Sequence, residues 1–377
     1  MLRTFTTLII LAVFVWLVWS FSGRNTPLSE PKSFISVVEE INPSDTLTKN
    51  IVGIQPYMEV SDYFNQTIFK DKIRKYLVAA NGNGLIRKTT LVIYPEYIGT
   101  WLFLLGEKHN IVEKNTLEEV WSTLVYSNAF DAFLGYLKTG DETNKEASSV
   151  FRMKAKAMLN AYYNTFSELS SESSTYILAG SIILPEPRVV DGQIYLDLSG
   201  PLYNTSFLFG PDGKVIGEPI LKAFPNTAEA HYLSAADPKD SQVFDLPIGK
   251  TSIMICDDSW HNQAYESAII NSAEIILVPS FCSGEHSMSS KWRGVDGEER
   301  PENFDSGDIE KLTNLEAWKK YGLASKAKNT KSRVGLQVFF RGNFWDLGSD
   351  GQPIAIFQNK TLPLTPAGKG GVWSLNF

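Results

Sequence analysis

Ser252-Ile253-Met254-Ile255-Cys256-Asp257-Asp258-Ser259-Trp260 begins as an apolar run, stops at a cysteine and turns polar. The pattern predicts a buried strand that ends near Cys256 and leads into a helix. A thiol at such a corner lies near free backbone N–H groups, which favour thiolate and hold a developing oxyanion. That is a nucleophile's position. Taken alone, however, Cys256 reads first as a packed residue, because free cysteine is among the most buried residue types. A second stretch, Leu91-Val92-Ile93-Tyr94-Pro95-Glu96, delivers a carboxylate at the carboxyl end of an apolar strand, where open α/β sheets collect their active sites. Beside a thiol and partly dehydrated, Glu96 would have its pKa raised toward that of a general base. A third, from Gly213 to Pro225, passes from a turn through a short strand to Lys222 among apolar neighbours. Its ammonium would suit a tetrahedral oxyanion. In isolation Glu96 is an exposed strand end and Lys222 a solvated cation.

Outward from these segments, strands and helices interleave. Lys49 to Gln55, Thr89 to Tyr94, Tyr176 to Leu184, Thr205 to Phe209, Thr251 to Ile255, Ile275 to Val278, Val334 to Phe340 and Pro353 to Phe357 have strand character. Phe64 to Ala80, Thr116 to Leu137 and Ser149 to Leu169 repeat at helical spacing. The alternation predicts α/β layers. Pro211-Asp212-Gly213-Lys214 and Ser349-Asp350-Gly351-Gln352 are hairpin-type turns, so part of the sheet should be antiparallel.

The amino terminus is of another kind. Between Arg3 and Arg24 no residue is charged, and these twenty positions at about 1.5 Å each span about 30 Å, the depth of a bilayer's hydrocarbon core. Residues 1–24 therefore read as a single transmembrane anchor, or as a signal peptide cut after Ser20-Phe21-Ser22. Both readings export the rest of the chain, which places the catalytic body in the periplasm or outside the cell. Residues 25–50, rich in Pro, Ser and Thr, read as a tether, and 51–377 as the globular body.

Composition narrows the chemistry. Thirty-five basic against 42 acidic residues give a net charge of −7, with no basic block long enough to follow a phosphate backbone, so nucleic acid is not expected as a partner. Two cysteines cannot form a disulfide framework, and His109, His231, His261 and His286 have no H-E-x-x-H spacing, so no metal site is expected. A Cys256–His pair through His231 or His286 is the rival nucleophilic arrangement. Cys282, Trp101, Trp292, Phe339, Phe340 and Trp345 would wall a cleft or fill the core. Asn65, Asn204 and Asn359 begin glycosylation-type triplets, with Asn204 expected inside a strand.

Taken in order, the segments of Glu96, Lys222 and Cys256 resemble the nitrilase or carbon–nitrogen hydrolase superfamily, whose Glu-Lys-Cys triad has this chain order. The resemblance runs from about Ile51 to Phe357. It includes Ile54-Gln55, Tyr94-Pro95-Glu96, Ala179-Gly180-Ser181, Tyr203-Asn204-Thr205-Ser206, Pro211-Asp212-Gly213, Ile255-Cys256-Asp257-Asp258 and Ala273 to Ser280. It implies a four-layer α-β-β-α sandwich, here preceded by one transmembrane helix, and commonly a homodimer formed through the outer helices. It implies Glu96 as base, Lys222 as stabiliser of the intermediate and Cys256 as nucleophile toward an amide, nitrile or acyl substrate, with no cofactor. The Asp257 amide is the candidate oxyanion donor, and Glu229 the candidate second carboxylate, although its register is one residue short. Two departures stand out: Asp257 puts an extra carboxylate beside the thiol, which opposes thiolate, and Asn262 to Glu266 lack the family's Pro-Glu pair. An N-acyltransferase using the same thioester, or an inactive binding module, are the alternatives to an amidase.

Overall fold

The computed structural model describes residues 2–28, 30, 32–43, 46–284, 286–295 and 300–377. In chain order its main strands are β1 (Ile35–Ile41), β2 (Lys49–Gln55), β3 (Thr89–Ile93), β4 (Tyr176–Pro185), β5 (Leu202–Phe209) and β6 (Val215–Leu221). There follow β7 (Val243–Leu246), β8 (Gly249–Ile253), β9 (Ile275–Ser280), β10 (Val334–Phe339), β11 (Ile354–Phe357), β12 (Lys360–Leu362) and β13 (Gly370–Asn376). The longer helices are α1 (Leu2–Phe21), α2 (Gln66–Gly82), α3 (Leu117–Ser127), α4 (Ala129–Tyr136), α5 (Lys145–Ser173) and α6 (Asn314–Tyr321).

One sheet has the order β1-β13-β2-β3-β4-β5-β6 and the other β7-β8-β9-β10-β11-β12. In both, parallel strands occupy the middle: β2, β3 and β4 in the first, β8, β9 and β10 in the second. These strands are covered on both faces, and their sequences are near-continuous apolar runs, as buried parallel strands require. Ile51, Leu91, Ile93 and Leu178 of the first sheet meet Ile253, Leu277, Leu336 and Val338 of the second in one core cluster. Val52, Ile54, Val92, Ile177 and Ala179 face α2 and α5, which supply Phe69, Ile73, Tyr162 and Phe166. On the far side of the second sheet Trp260, Trp292, Trp318 and Tyr321 pack together, with Trp260 stacked on Tyr321 at 5.7 Å. The result is helix, sheet, sheet and helix in four layers. Gly53 sets their closeness: a Cβ there would come within 2.9 Å of Leu336 and Val338 on the opposite sheet.

Several local expectations are corrected. Residues 25–50 are not wholly a tether, since β1 pairs in parallel with the carboxyl-terminal β13. β1 is an edge strand with alternating half-burial, and its partner lies more than 300 residues away, so local sequence carries little sign of it. Thr116 to Leu137 is broken at Asn128, whose φ of −125° and ψ of 39° separate α3 from α4. The Asn128 side chain accepts from Arg24 (2.9 Å) and donates to Glu107 (3.0 Å). Pro211-Asp212-Gly213-Lys214 does join antiparallel β5 and β6. Ser349-Asp350 instead pairs with Arg341-Gly342, while β10 and β11 make the antiparallel pair. Gln358-Asn359, with φ of 49° and 62°, forms the tight turn from β11 to β12, the geometry for which Asn is favoured.

One irregularity positions the site. β4 breaks register against β5 between Leu178 and Ser181, and Gly180 there has φ +67°. Around this bulge Tyr94 N–H donates to Leu178 O (3.0 Å), Gly99 N–H to Ser181 O (2.9 Å) and Tyr97 N–H to Ser181 Oγ (2.9 Å). The turn carrying Glu96 is thus seated on the bulge. A Cβ at Gly180 would collide with Pro95 O, so Gly180→Ala should cost about 1–3 kcal/mol in urea denaturation, from left-handed strain and overpacking. It should also lower activity by moving Glu96. Wild-type stability and turnover in this variant would contradict the assignment.

Candidate active site

Three strand ends converge. Glu96 follows β3 on the turn held by the bulge, Lys222 follows β6 in the same sheet, and Cys256 follows β8 in the other. Cys256 opens a short 3-10 turn, Cys256–Trp260, in the left-handed conformation at φ +51°. For a residue with a side chain this is a costly backbone, held here by the surrounding contacts. Asp258 supplies part of that hold. Its Oδ1 accepts from Ala223 N–H (3.0 Å) and Phe224 N–H (2.8 Å), and its Oδ2 from Ile255 N–H (3.1 Å). One buried carboxylate thereby ties the lysine loop to the cysteine turn across the two sheets. Burial pushes the Asp258 carboxyl up to about 7, against the pull of Lys222 and these donors.

Lys222 is the hub. Its Nζ lies 2.7 Å from Glu229 Oε2, 3.1 Å from Glu96 Oε1 and 3.1 Å from Asp257 Oδ2. Lys222, Glu96 and Glu229 are each at most 2% exposed. Asn204 donates to both Glu96 Oε1 (2.8 Å) and Glu229 Oε1 (3.1 Å), and Tyr97 OH donates to Glu229 Oε1. Glu229 also caps the helix Thr227–Ala230 reciprocally with Asn226, accepting its N–H at 2.9 Å. The Cys256 thiol donates to Phe281 O (3.3 Å), and Glu96 is near enough to act on it electrostatically. Asp257, about a third exposed at its side chain, is the part of the cluster nearest solvent.

Several carboxylates around one ammonium fix the charges. Burial opposes the Lys222 charge, yet Glu229, Glu96 and Asp257 together push its pKa well above the ordinary lysine value. Glu229 is also opposed by burial, but Lys222 and the donors from Lys222, Tyr97 and Asn226 hold it below the usual range. Glu96 goes the other way. Burial raises it to about 8, with Glu229 and Asp257 adding and Lys222 opposing. Cys256 is pushed well above the ordinary thiol, first by burial and then by Asp257 and Glu96. The expectation that the corner alone favours thiolate is therefore overturned: the resting group is a thiol, because dehydration and two carboxylates outweigh the lysine.

All five residues singled out in the sequence come together: Glu96, Lys222, Cys256, Asp257 and Glu229. Glu229 is held in place by its capping box with Asn226. Two of the histidines are engaged elsewhere: His231 Nδ1 pairs with Thr143 Oγ1 (2.8 Å), and the His261 ring stacks on Phe224 at 3.9 Å. Trp101, Trp292, Phe339 and Phe340 are buried core, and Trp345 is half-buried. Burial pushes the Cys282 thiol up to about 11, and the residue packs beside the loop carrying Phe281. Asn204, Tyr97 and Asp258 were missed as functional groups. Asn204 carried a signal, an amide in the middle of a strand otherwise built to be buried, where only a polar partner can satisfy it.

The carbon–nitrogen hydrolase family model matches residues 60–300, more than half of the chain. The probable hydrolase YhcX of Bacillus subtilis (strain 168) is 31% identical over 96 residues, which cover 26% of this chain and 18% of that protein, so less than a fifth of the relative's length is matched. Among solved structures, the amidase from Nesterenkonia sp. AN1 superimposes as a mutant in complex with butyramide, with TM-score 0.52, 12% identity, 88% of this chain and 91% of that one. A second mutant of it, with the acetamide moiety of fluoroacetamide added covalently at the active site cysteine, gives TM-score 0.53 and 12% identity over 89% and 92%. At such identities these likenesses establish the fold, which is nitrilase-like. The extent of the family match, with the four-layer fold beneath it, makes this chain a member of the carbon–nitrogen hydrolase family.

Proposed function

We propose that the protein is a membrane-anchored amidase working through a cysteine thioester, with Glu96 as base, Lys222 as oxyanion partner and Cys256 as nucleophile. The observation that carries this is the meeting of Glu96, Lys222 and Cys256 at three strand ends, with Lys222 Nζ 3.1 Å from Glu96 Oε1 and burial raising the Glu96 carboxyl to about 8. A base must match its acid to move a proton at neutral pH, and an ordinary carboxylate would be too weak. Glu96 takes the thiol proton as sulfur attacks the amide carbon, forming the C–S bond and moving the carbonyl pair onto oxygen. The Lys222 ammonium and the Asp257 N–H receive that oxyanion. On collapse the C–N bond breaks, the Glu96 proton goes to the departing nitrogen, and the thioester remains. Water then gives its proton to Glu96, adds to the thioester carbon, and the second collapse returns the proton to sulfur with release of the acid. Glu229 keeps Lys222 charged throughout. The solved amidase adducts support an amide as substrate class.

Anchoring rests on α1, a 20-residue helix of mean hydropathy 2.1 over its best window, 6% buried against the rest of the chain. It would hold the catalytic body on the extracytoplasmic face. After an alkaline carbonate wash the protein should stay with membranes and yield peptides spanning Leu2 to Phe21. A soluble protein beginning beyond Ser22 would show a cleaved signal instead.

Three outcomes test the chemistry. Mass spectrometry after mixing with amide substrates should find an acyl adduct on Cys256 that clears in water. Clearance only with an amine acceptor would make the enzyme a transferase, and no adduct from any donor would contradict the mechanism. Cys256→Ala and Glu96→Gln should abolish turnover with little change in melting temperature. Lys222→Met should abolish turnover and also destabilise by about 3–5 kcal/mol, because it strips the counter-ion from buried carboxylates. Because Glu96 acts as carboxylate and its pKa is about 8, kcat/KM should rise as pH rises through about 8. A rate flat from mildly acid to mildly alkaline pH would exclude Glu96 as the base.

A further inference from the structure

We propose that the outward face of α4, with Tyr126 just ahead of it, is a second membrane contact, seated in the bilayer leaflet from which α1 emerges. This rests on the anchored reading of α1. Phe130, Phe133, Leu134 and Leu137 recur at intervals of three, one and three residues along α4 and its carboxyl end, a helical stripe that Tyr126 of α3 precedes across the break at Asn128. They are 42–69% exposed. The same helix turns its small residues inward, Ala132 and Gly135 being buried against α5. A helix with large apolar groups outward and small ones inward is inverted with respect to water, and contiguous exposed apolar surface of this kind marks a contact.

The occupant is fixed by depth. Trp16 Nε1 donates to Tyr126 O at 2.9 Å, and Ser20 Oγ donates to Ser127 O. Trp16 lies five residues before the end of α1, about 7.5 Å along its axis at 1.5 Å per residue. Spanning a hydrocarbon core of about 30 Å takes all twenty residues of α1. The end of α3 and the start of α4 must then lie below the lipid boundary, where an apolar stripe is satisfied and a water-facing one is not. One cation stands at the matching level: Lys145 Nζ lies 5.3 Å from the Tyr136 ring centroid, and such a side chain reaches headgroup phosphates while its stem stays in apolar surroundings. Arg24 and Lys108 are turned inward, Arg24 to Asn128 and Glu107 and Lys108 to Trp19 O, and fix the end of α1 to the body. Asp131, exposed beside Phe130, has to reach the headgroup layer as well. The α3–α4 insertion continues to Thr143, whose N–H donates to His231 O at 2.9 Å, next to the helix that carries Glu229. The membrane contact is thereby tied to the wall of the catalytic cluster, which directs the enzyme toward amides presented at a bilayer surface.

The test uses the full chain in phosphatidylcholine vesicles doped with a phosphatidylcholine bearing a diazirine in its acyl chain. After irradiation, peptide mapping should find lipid adducts on residues 8–21 and, separately, on residues 126–137. In Phe130→Glu/Phe133→Glu the second set should be lost and the first retained, with circular dichroism unchanged. Adducts on 8–21 alone in the wild type would overturn the docking proposal and leave the anchor standing. Adducts on neither segment would overturn both.

Discussion

A single buried ammonium organises this molecule's chemistry. Lys222 lies 2.7–3.1 Å from carboxylates of three different segments, at a depth where any of these charges alone would be expensive to bury. Because one positive charge cannot neutralise all of them, the groups separate. Glu229, with several donors, stays ionised, while Glu96 keeps a proton to about pH 8. Two carboxyl groups in one cavity thus acquire different tasks from their hydrogen bonds, the general route by which a fold makes both a base and a fixed charge. The same crowding keeps Cys256 a thiol at rest, so in the proposed chemistry its activation is coupled to substrate arrival instead of being stored as a standing thiolate.

The two-sheet core exists in part to hold that arrangement. Glu96 and Lys222 are brought by one sheet and Cys256 by the other, and Asp258 bonds the backbone of both at once. The bulge at Gly180 and the left-handed backbone at Cys256 are two places where regular geometry is given up. Both lie at the cluster, as expected when local strain is retained for placement of reacting groups.

Much of this was legible in the sequence. The strands that lead to Glu96 and Cys256 are short but lie in continuous apolar runs, so their pattern is readable and their carboxyl ends mark the site. Tertiary pairing hid the rest. β1 is held in place by β13, far along the chain, and Asn128 breaks a continuous amphipathic pattern because its side chain is bound by Arg24 and Glu107. Asp258 looked like a mere companion of the cysteine, since nothing local shows that its oxygens reach Ala223 and Phe224. The thiol's protonation was half legible: Asp257, the next residue, opposes thiolate and could be read locally, but the depth of burial and the facing Glu96 could not.

Isotope-edited infrared difference spectroscopy of the carboxyl groups addresses the central claim most directly. With the glutamate carboxyls alone labelled, so that Asp258 is silent, a protonated-carboxyl band should persist to a pH near 8 in the wild type, vanish in Glu96→Gln and survive in Cys256→Ala. Its disappearance at the pH of an ordinary glutamate in the wild type would show that Lys222 satisfies all its neighbours equally, and the division of roles between Glu96 and Glu229 would fail.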